Sequence, residues 1–370
     1  MPELEKLTVR GFKSIKDVSD FSLGPINVLI GSNGSGKSNV LSVFSFLREI
    51  KEGRLVDYVR RSGGAERVLH FGSKNTEKLE IALVFEDELN QYRVVFEPTA
   101  DNLLFPSHEV VYFWDKRFPR PYNEVLLSVG AEAGISNKKL QRVGSYVRNH
   151  FDRWRTYHFH DTSSGSPLKK ASKVADNEYL RADGSNLSAF LYLLEKKYPD
   201  CYGQIRSVVQ RVFPAFMDFQ LKPDRLNEEF ISLEWKHRNS DAFFDASSFS
   251  DGTLRFIALA TLFLQPEELR PSVVIVDEPE LGLHPFAIGL LAALVKQASV
   301  STQVILSTQS PFLLDHFEVQ DVIVADLVQG VTSLSRLDPE RLSIWLESYS
   351  LGQLWEKNEI GGRPSPGGQS

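Results

Sequence analysis

The eight residues GSNGSGKS, 31 to 38, constrain the fold of this chain more than any other stretch. They follow PINVLI, a short unbroken apolar run of the kind that forms a strand buried on both faces. They precede NVLSVFSFLREI, whose apolar residues recur at helical spacing. A strand that must turn at once into a helix needs a backbone free of Cβ obstruction, and glycine supplies it. The same glycines let main-chain N–H groups close on an anion, toward which the helix start also turns its unpaired N–H groups. Strand, loop and helix in this order predict an α/β chain with an anion cradle at a strand end.

The stretch matches G-x-x-x-x-G-K-[ST], the P-loop pattern of phosphate binding. The candidate nucleotide-binding residues are Asn33, Gly34, Ser35, Gly36, Lys37, Ser38 and Asn39. Lys37 supplies a point charge for β- and γ-phosphates, and Ser38 a hydroxyl for Mg²⁺. A Gly/Ser turn with a solvated lysine would satisfy the same letters. The strand before and the amphipathic helix after are the context that favours ATP with Mg²⁺.

A chain of 370 residues has room for one elaborated domain or two to three smaller ones. Apolar residues are 42% and charged residues 24%, as in a water-soluble globular protein. The single cysteine, Cys201, has no partner for an intrachain disulfide, which points to a reducing compartment. No stretch reaches the roughly 18–20 apolar residues needed to span a bilayer. The first residues, MPELEKLTVR, carry no apolar signal core. The expectation is a cytoplasmic protein without membrane contact. A net charge of −6 excludes a wholly basic nucleic-acid coat but not a local basic patch.

Along the chain, LEKLTVRGF reads as a strand, and LEIALVFED and QYRVVFEP as an antiparallel hairpin or meander, with EVVYFWD as a further strand. Between residues 115 and 230 the pattern becomes mainly helical, in SNLSAFLYLLEKKY and YGQIRSVVQRVF. SSGSPLKKASK reads as a polar, disordered loop. Strands and helices alternate again after 245: TLRFIALATLFL, SVVIVDE, PFAIGLLAALVKQA, QVILST and DVIVADL. There is no internal repeat and no sustained heptad run.

A second half-site lies in SVVIVDEPELGLHP. Asp277 and Glu278 end a buried strand, where α/β sheets bind ligands. Asp277 can hold Mg²⁺ through water, and Glu278 can orient or deprotonate an attacking water. Alone, such a pair is as readily a helix cap or a solvated turn. In SSFSDGTLRF, residues Ser250 and Gly252 open an apolar helix, whose start is either an ordinary N-cap or a γ-phosphate site. QVILST ends in polar residues Ser307, Thr308 and Gln309.

In this order the pieces resemble the ABC-type ATPase head of the RecF, SMC/Rad50 and OLD-nuclease group. GSNGSGKS resembles Walker A, FSDGT the ABC signature, VVIVDEPELGLHP Walker B with its D-loop, and STQSP the switch. LTVRGFKSIKD resembles the start of such heads, and LGQLWEKNEIGGRP the tail of a bacterial branch of predicted ATPases. The implied fold is a P-loop NTPase of ABC type, with a mixed sheet, an antiparallel β subdomain and an inserted, mainly helical lid. The implied division is 1–114 and 231–358 for the head, 115–230 for the lid and 359–370 for a flexible tail. The resemblance also implies ATP hydrolysis with Glu278 and Gln309 in catalytic positions, and a head-to-tail homodimer or higher oligomer. In it, Ser250 and Gly252 complete the site built on the partner's Lys37. Gln309 stands where such heads often carry histidine, so it can sense a γ-phosphate but cannot exchange its proton. No Q-loop glutamine is identifiable; VLHFG takes that place. The lack of heptads argues against long arms, and the chain after residue 345 is too short for a Toprim nuclease domain.

The window Lys138–Lys170 contains Lys138, Lys139, Arg142, Arg148, Arg153, Arg155, Lys169 and Lys170 against only Asp152 and Asp161, with Trp154, Tyr157, Phe159 and three histidines interleaved. Basic plus aromatic suits DNA; a solvated face whose aromatics pack inward suits it equally. The resemblance implies two functions. One is a DNA-associated ATPase of repair or anti-phage defence. The other is an ATP-dependent scaffold or sensor that restrains a separate effector protein, a nuclease or toxin.

Overall fold

The computed structural model describes residues 3–362, so most of the expected tail, residues 363–370, lies outside the described residues. The described residues form two compact units, one of residues 3–154, 303–309 and 318–362, the other of 155–302 and 310–317.

The first unit contains two sheets. One is antiparallel, in the order Ile15–Ser22, Leu4–Phe12, Leu79–Phe85, Asn90–Pro98, Leu104–Phe113 and Tyr122–Val125. Leu79–Phe85 alternates buried and half-buried side chains, the period-two signature of a strand with one covered face. The other sheet is mixed. Ile26–Ile30, buried at every residue, pairs in parallel with Gln303–Thr308 on one side and Val322–Val328 on the other, and Val331–Arg336 folds back antiparallel on the latter. The helix Lys37–Lys51 buries Val40, Val43, Phe44, Phe46, Leu47 and Ile50. Phe46 packs between the rings of Phe12, Tyr58 and Phe96, which fixes that helix against the antiparallel sheet.

In the second unit, the helix Asp251–Leu264 is buried from Leu254 through Leu264. A helix apolar on all sides must be covered on all sides, and Pro199–Val212 and Pro285–Ala298 both pack on it. A three-stranded sheet of Phe216–Gln220, Glu234–His237 and Phe243–Asp245 carries an aromatic cluster around Trp235.

The structure bears on three of these readings. The compact units divide at Trp154/Arg155, inside the stretch 115–230, because the helix Arg142–Asp152 packs on Lys37–Lys51 and the antiparallel sheet. SSGSPLKKASK is built: Ser166, Leu168 and Ser172 are buried, and the Ser166 hydroxyl accepts the Leu168 N–H while donating to the Asp161 carbonyl. The basic window is shared between the two units, and its aromatics pack inward, as its second reading has it. Trp154, Tyr157 and Phe159 are core residues, Arg148 donates to the carbonyls of Lys51 and Ile135, and Arg155 lies over the Tyr179 ring. Lys138, Lys139 and Arg142 remain exposed in the first unit. Among the described residues, no helix is long and apolar enough to cross a membrane.

Candidate functional site

The expected phosphate loop joins Ile26–Ile30 to Lys37–Lys51 in the first unit. Lys37 is 5% exposed, and its ammonium donates to the carbonyls of Gly31 at 2.7 Å and Ser32 at 3.0 Å. The charge is therefore held inside the curl of the loop. Asn33, Gly34 and Ser38 face solvent. Gly36 is left-handed, φ 100°, and a Cβ there would lie 1.9 Å from Thr332 Oγ1. Ser35 is 1% exposed, and its hydroxyl oxygen finds no partner among the described residues.

Behind the loop runs a chain of hydrogen bonds that the sequence did not disclose. Asn39 Nδ2 donates to Ser14 Oγ at 2.7 Å, Ser14 and Thr332 share a bond of 2.7 Å, and Thr332 Oγ1 donates to the Ser35 carbonyl at 3.0 Å. Since the Thr332 hydroxyl is committed as donor, the Ser14 hydroxyl must donate to it. The chain thus runs in one direction from the first turn of the helix to the crown of the loop. It commits the Asn39 side chain to positioning the loop. Lys13, beside Ser14, donates to Ser42 Oγ one turn further along the helix, and burial pushes its ammonium pKa down.

Thr308 pairs with Ile30 in register, so Gln309 leaves its strand where Gly31 leaves the neighbouring one. The expected switch residue and the loop therefore share one end of the mixed sheet.

In the second unit, Asp277 ends the strand Val273–Asp277, and Glu278 comes next with φ 42°. A non-glycine residue in that region carries a cost of about 1–2 kcal/mol, and such outliers gather at functional sites. Ser250 caps the helix Asp251–Leu264, its hydroxyl oxygen accepting the Thr253 N–H at 3.2 Å. Ser250 is thus an N-cap, which leaves the N–H groups of this helix start beside it. Gly252 is pressed on the turn after Glu278: a Cβ there would stand 2.2 Å from the Gly282 carbonyl oxygen. Arg255, 5% exposed, ties the same helix to the segment that follows the strand Trp154–Tyr157. Its Nε donates to the Phe159 carbonyl at 2.9 Å and its Nη2 to the His160 carbonyl at 3.1 Å. Burial pushes its pKa down, opposed by Asp251 and Glu280. Arg255, Asp277, Glu278 and Phe159 lie together around one shallow depression within this unit. Arg255 was missed because a helical arginine one turn past a cap normally reads as solvated.

The chain is similar to several known proteins. Residues 26–315 match the family described as "AAA domain, putative AbiEii toxin, Type IV TA system". The OLD nuclease of Thermus scotoductus (strain ATCC 700910 / SA-01) is 24% identical over 332 residues, 84% of this chain; the chain spans 60% of that relative's length. Among solved structures, an Smc head bound to the C-winged helix domain of ScpA superposes with a TM-score of 0.61 at 17% identity, over 92% of this chain and 99% of that one. An Smc head domain with an extended coiled coil, bound to the C-terminal domain of ScpA derived from Pyrococcus furiosus, gives 0.59 at 16%, over 94% and 99%. At such identities the likeness speaks for the fold.

Proposed function

Because the chain belongs to that AAA-domain family and has the ABC-type ATPase head of the RecF, SMC/Rad50 and OLD group, we propose that it binds and hydrolyses Mg-ATP and that ATP closes it into a head-to-tail dimer. The observation that carries the reading is the loop: a buried lysine curled inside it, a buried Ser35 hydroxyl without a partner among the described residues, and a crown held from behind by Thr332. These features suit a phosphate chain. Gly34 and Gly36 offer N–H groups, Lys37 the charge, and Ser38 and Asp277 are the groups for Mg²⁺. When bound, the metal neutralises phosphate charge. Glu278 orients and deprotonates the attacking water, and Gln309 reads the γ-phosphate. Ser250 and Gly252 of one copy complete the site of the other.

In this reading the dimer acts on DNA in repair or anti-phage defence, with Lys138, Lys139 and Arg142 as candidate phosphate contacts. The test is turnover of Mg-ATP with and without single- and double-stranded DNA, beside Lys37→Ala. Hydrolysis that persists in Lys37→Ala would sink the ATPase reading. Turnover and binding indifferent to DNA would leave the second reading, an ATP-dependent scaffold for an effector protein. That reading is favoured by one feature: the outermost strand of the antiparallel sheet, Tyr122–Val125, and the residues after it expose Tyr122, Val125 and Leu127. Exposed apolar side chains at a free sheet edge suit a protein partner.

A further inference from the structure

The helix Leu351–Glu356 begins with a capping box: Ser350 Oγ accepts the Gln353 N–H and Gln353 Oε1 accepts the Ser350 N–H. It ends at Asn358, φ 61°, with the Glu359 N–H on the Leu354 carbonyl. Beyond it come Ile360, buried, and then two left-handed glycines, Gly361 at φ 80° and Gly362 at φ 78°. The Gly362 N–H donates to Asp326 Oδ1 at 2.8 Å. A Cβ on Gly362 would lie 3.2 Å from each of three atoms: the Cα of Gly31, Trp355 Nε1 and Val324 Cγ1.

Gly31 is the first residue of the phosphate loop. Its other side is also closed, since a Cβ on it would lie 2.4 Å from the Ala325 carbonyl oxygen and 2.5 Å from Ser35 Oγ. The root of the loop is therefore held between the strand Val322–Val328 and the Gly361–Gly362 turn. Trp355, 5% exposed, places its indole N–H at the same spot, where it meets no acceptor among the described residues. All these residues belong to the first unit, and the turn lies beyond residue 315, where the family match ends.

We propose that the Gly361–Gly362 turn, tethered by Asp326, is a positioning element of the nucleotide site that holds Gly31, and with it the loop, in the phosphate-binding form. Only glycine serves at 362, because the left-handed backbone and the three close neighbours each oppose a side chain. Asp326 acts through the turn and touches no phosphate. The inference rests on the nucleotide reading above for its functional consequence, but the contact itself is testable without nucleotide.

The experiment uses the full chain with Gly362→Ala, Asp326→Ala and Asp326→Asn, and Gly130→Ala as control. Gly130 has φ 64° with no atom within 4 Å of its Cβ position, so it carries the backbone strain without the contact. The first readout is hydrogen exchange of the amides of residues 31–36 without nucleotide. Protection should fall in Gly362→Ala and Asp326→Ala, and be retained in Asp326→Asn, whose amide oxygen still accepts the Gly362 N–H, and in Gly130→Ala. The second is binding of mant-ADP with Mg²⁺. Its Kd should rise about tenfold in the first two variants and stay within about twofold in the others. If Gly362→Ala does not fold, the two Asp326 variants decide. Unchanged exchange in Asp326→Ala overturns the proposal, as does a mant-ADP Kd unchanged in both Gly362→Ala and Asp326→Ala. A wild-type chain that binds no mant-ADP overturns the nucleotide reading, while the exchange result still judges the contact.

Discussion

Thr332 and Ser35 lie 297 positions apart, yet the Thr332 hydroxyl donates to the Ser35 carbonyl at 3.0 Å in the closed interior of the phosphate loop. Thr332→Val keeps the shape and removes the donor. It leaves a buried carbonyl and the Ser14 hydroxyl short of a partner, a cost of about 1–3 kcal/mol. Thermal melting should fall accordingly, and nucleotide affinity should fall with it. Valine at 332 with wild-type affinity would show that the loop holds its form without this support.

Glu278→Gln should bind Mg-ATP but turn it over about 10²–10⁴-fold more slowly, since the amide keeps the shape and loses the base. Single-turnover hydrolysis beside equilibrium binding separates the two effects. Wild-type turnover would move the base elsewhere. The left-handed φ of Glu278 adds a second expectation. Glu278→Gly should raise the melting temperature, because the strain at this position is released, while activity is lost.

Ser250→Arg should leave ATP binding by the single subunit intact and block ATP-driven dimerisation and hydrolysis. Because Ser250 caps its helix, the variant also loses about 0.5–2 kcal/mol of cap. Ser250→Asn is therefore the stability control, since asparagine caps as well. Mixing Ser250→Arg with Lys37→Ala should restore some activity, as one composite site then carries both lesions and the other neither. Normal dimerisation and hydrolysis by Ser250→Arg alone would reduce FSDGT to a helix cap.

Charge reversal at exposed Lys138 and Lys139 should weaken DNA binding and flatten its salt dependence, by about one unit of slope for each phosphate no longer neutralised. Titrations at several salt concentrations check this. An unchanged slope would leave the window a solvated face.

Glu88 sits between two lysines, with Lys6 Nζ and Lys116 Nζ each at 2.7 Å, and their hydrogen bonds and charges, Lys116 first, pull its carboxyl pKa down to about 2. A carboxylate depressed in the folded state stabilises it above its ordinary pKa, and the gain is lost as pH falls from about 4.5 toward 2. The Tm difference between wild type and Glu88→Gln should therefore be present at pH 6 and shrink across that window. A difference independent of pH would assign Glu88 a packing role only.

The sequence by itself determined the loop, its flanking strand and helix, and the buried helices and strands after residue 245, because each is written in contiguous residues. A glycine spacing and an apolar period survive without knowledge of the fold. Ser250 and Asp277 were legible as helix and strand ends for the same reason, though not which of two chemistries each serves. What only the tertiary structure decided is the set of supports. Ser14, Thr332, Asp326 and Gly362 reach the loop because Val322–Val328 runs beside Ile26–Ile30 and Val331–Arg336 folds back on it. Short polar residues and glycines have no periodicity that marks their partners. Likewise the sequence left the aromatic residues of the basic window open between stacking on bases and packing inward, and the core claims Trp154, Tyr157 and Phe159. Local pattern names the chemistry; strand order, which brings distant backbone within hydrogen-bond reach, decides what holds it in place.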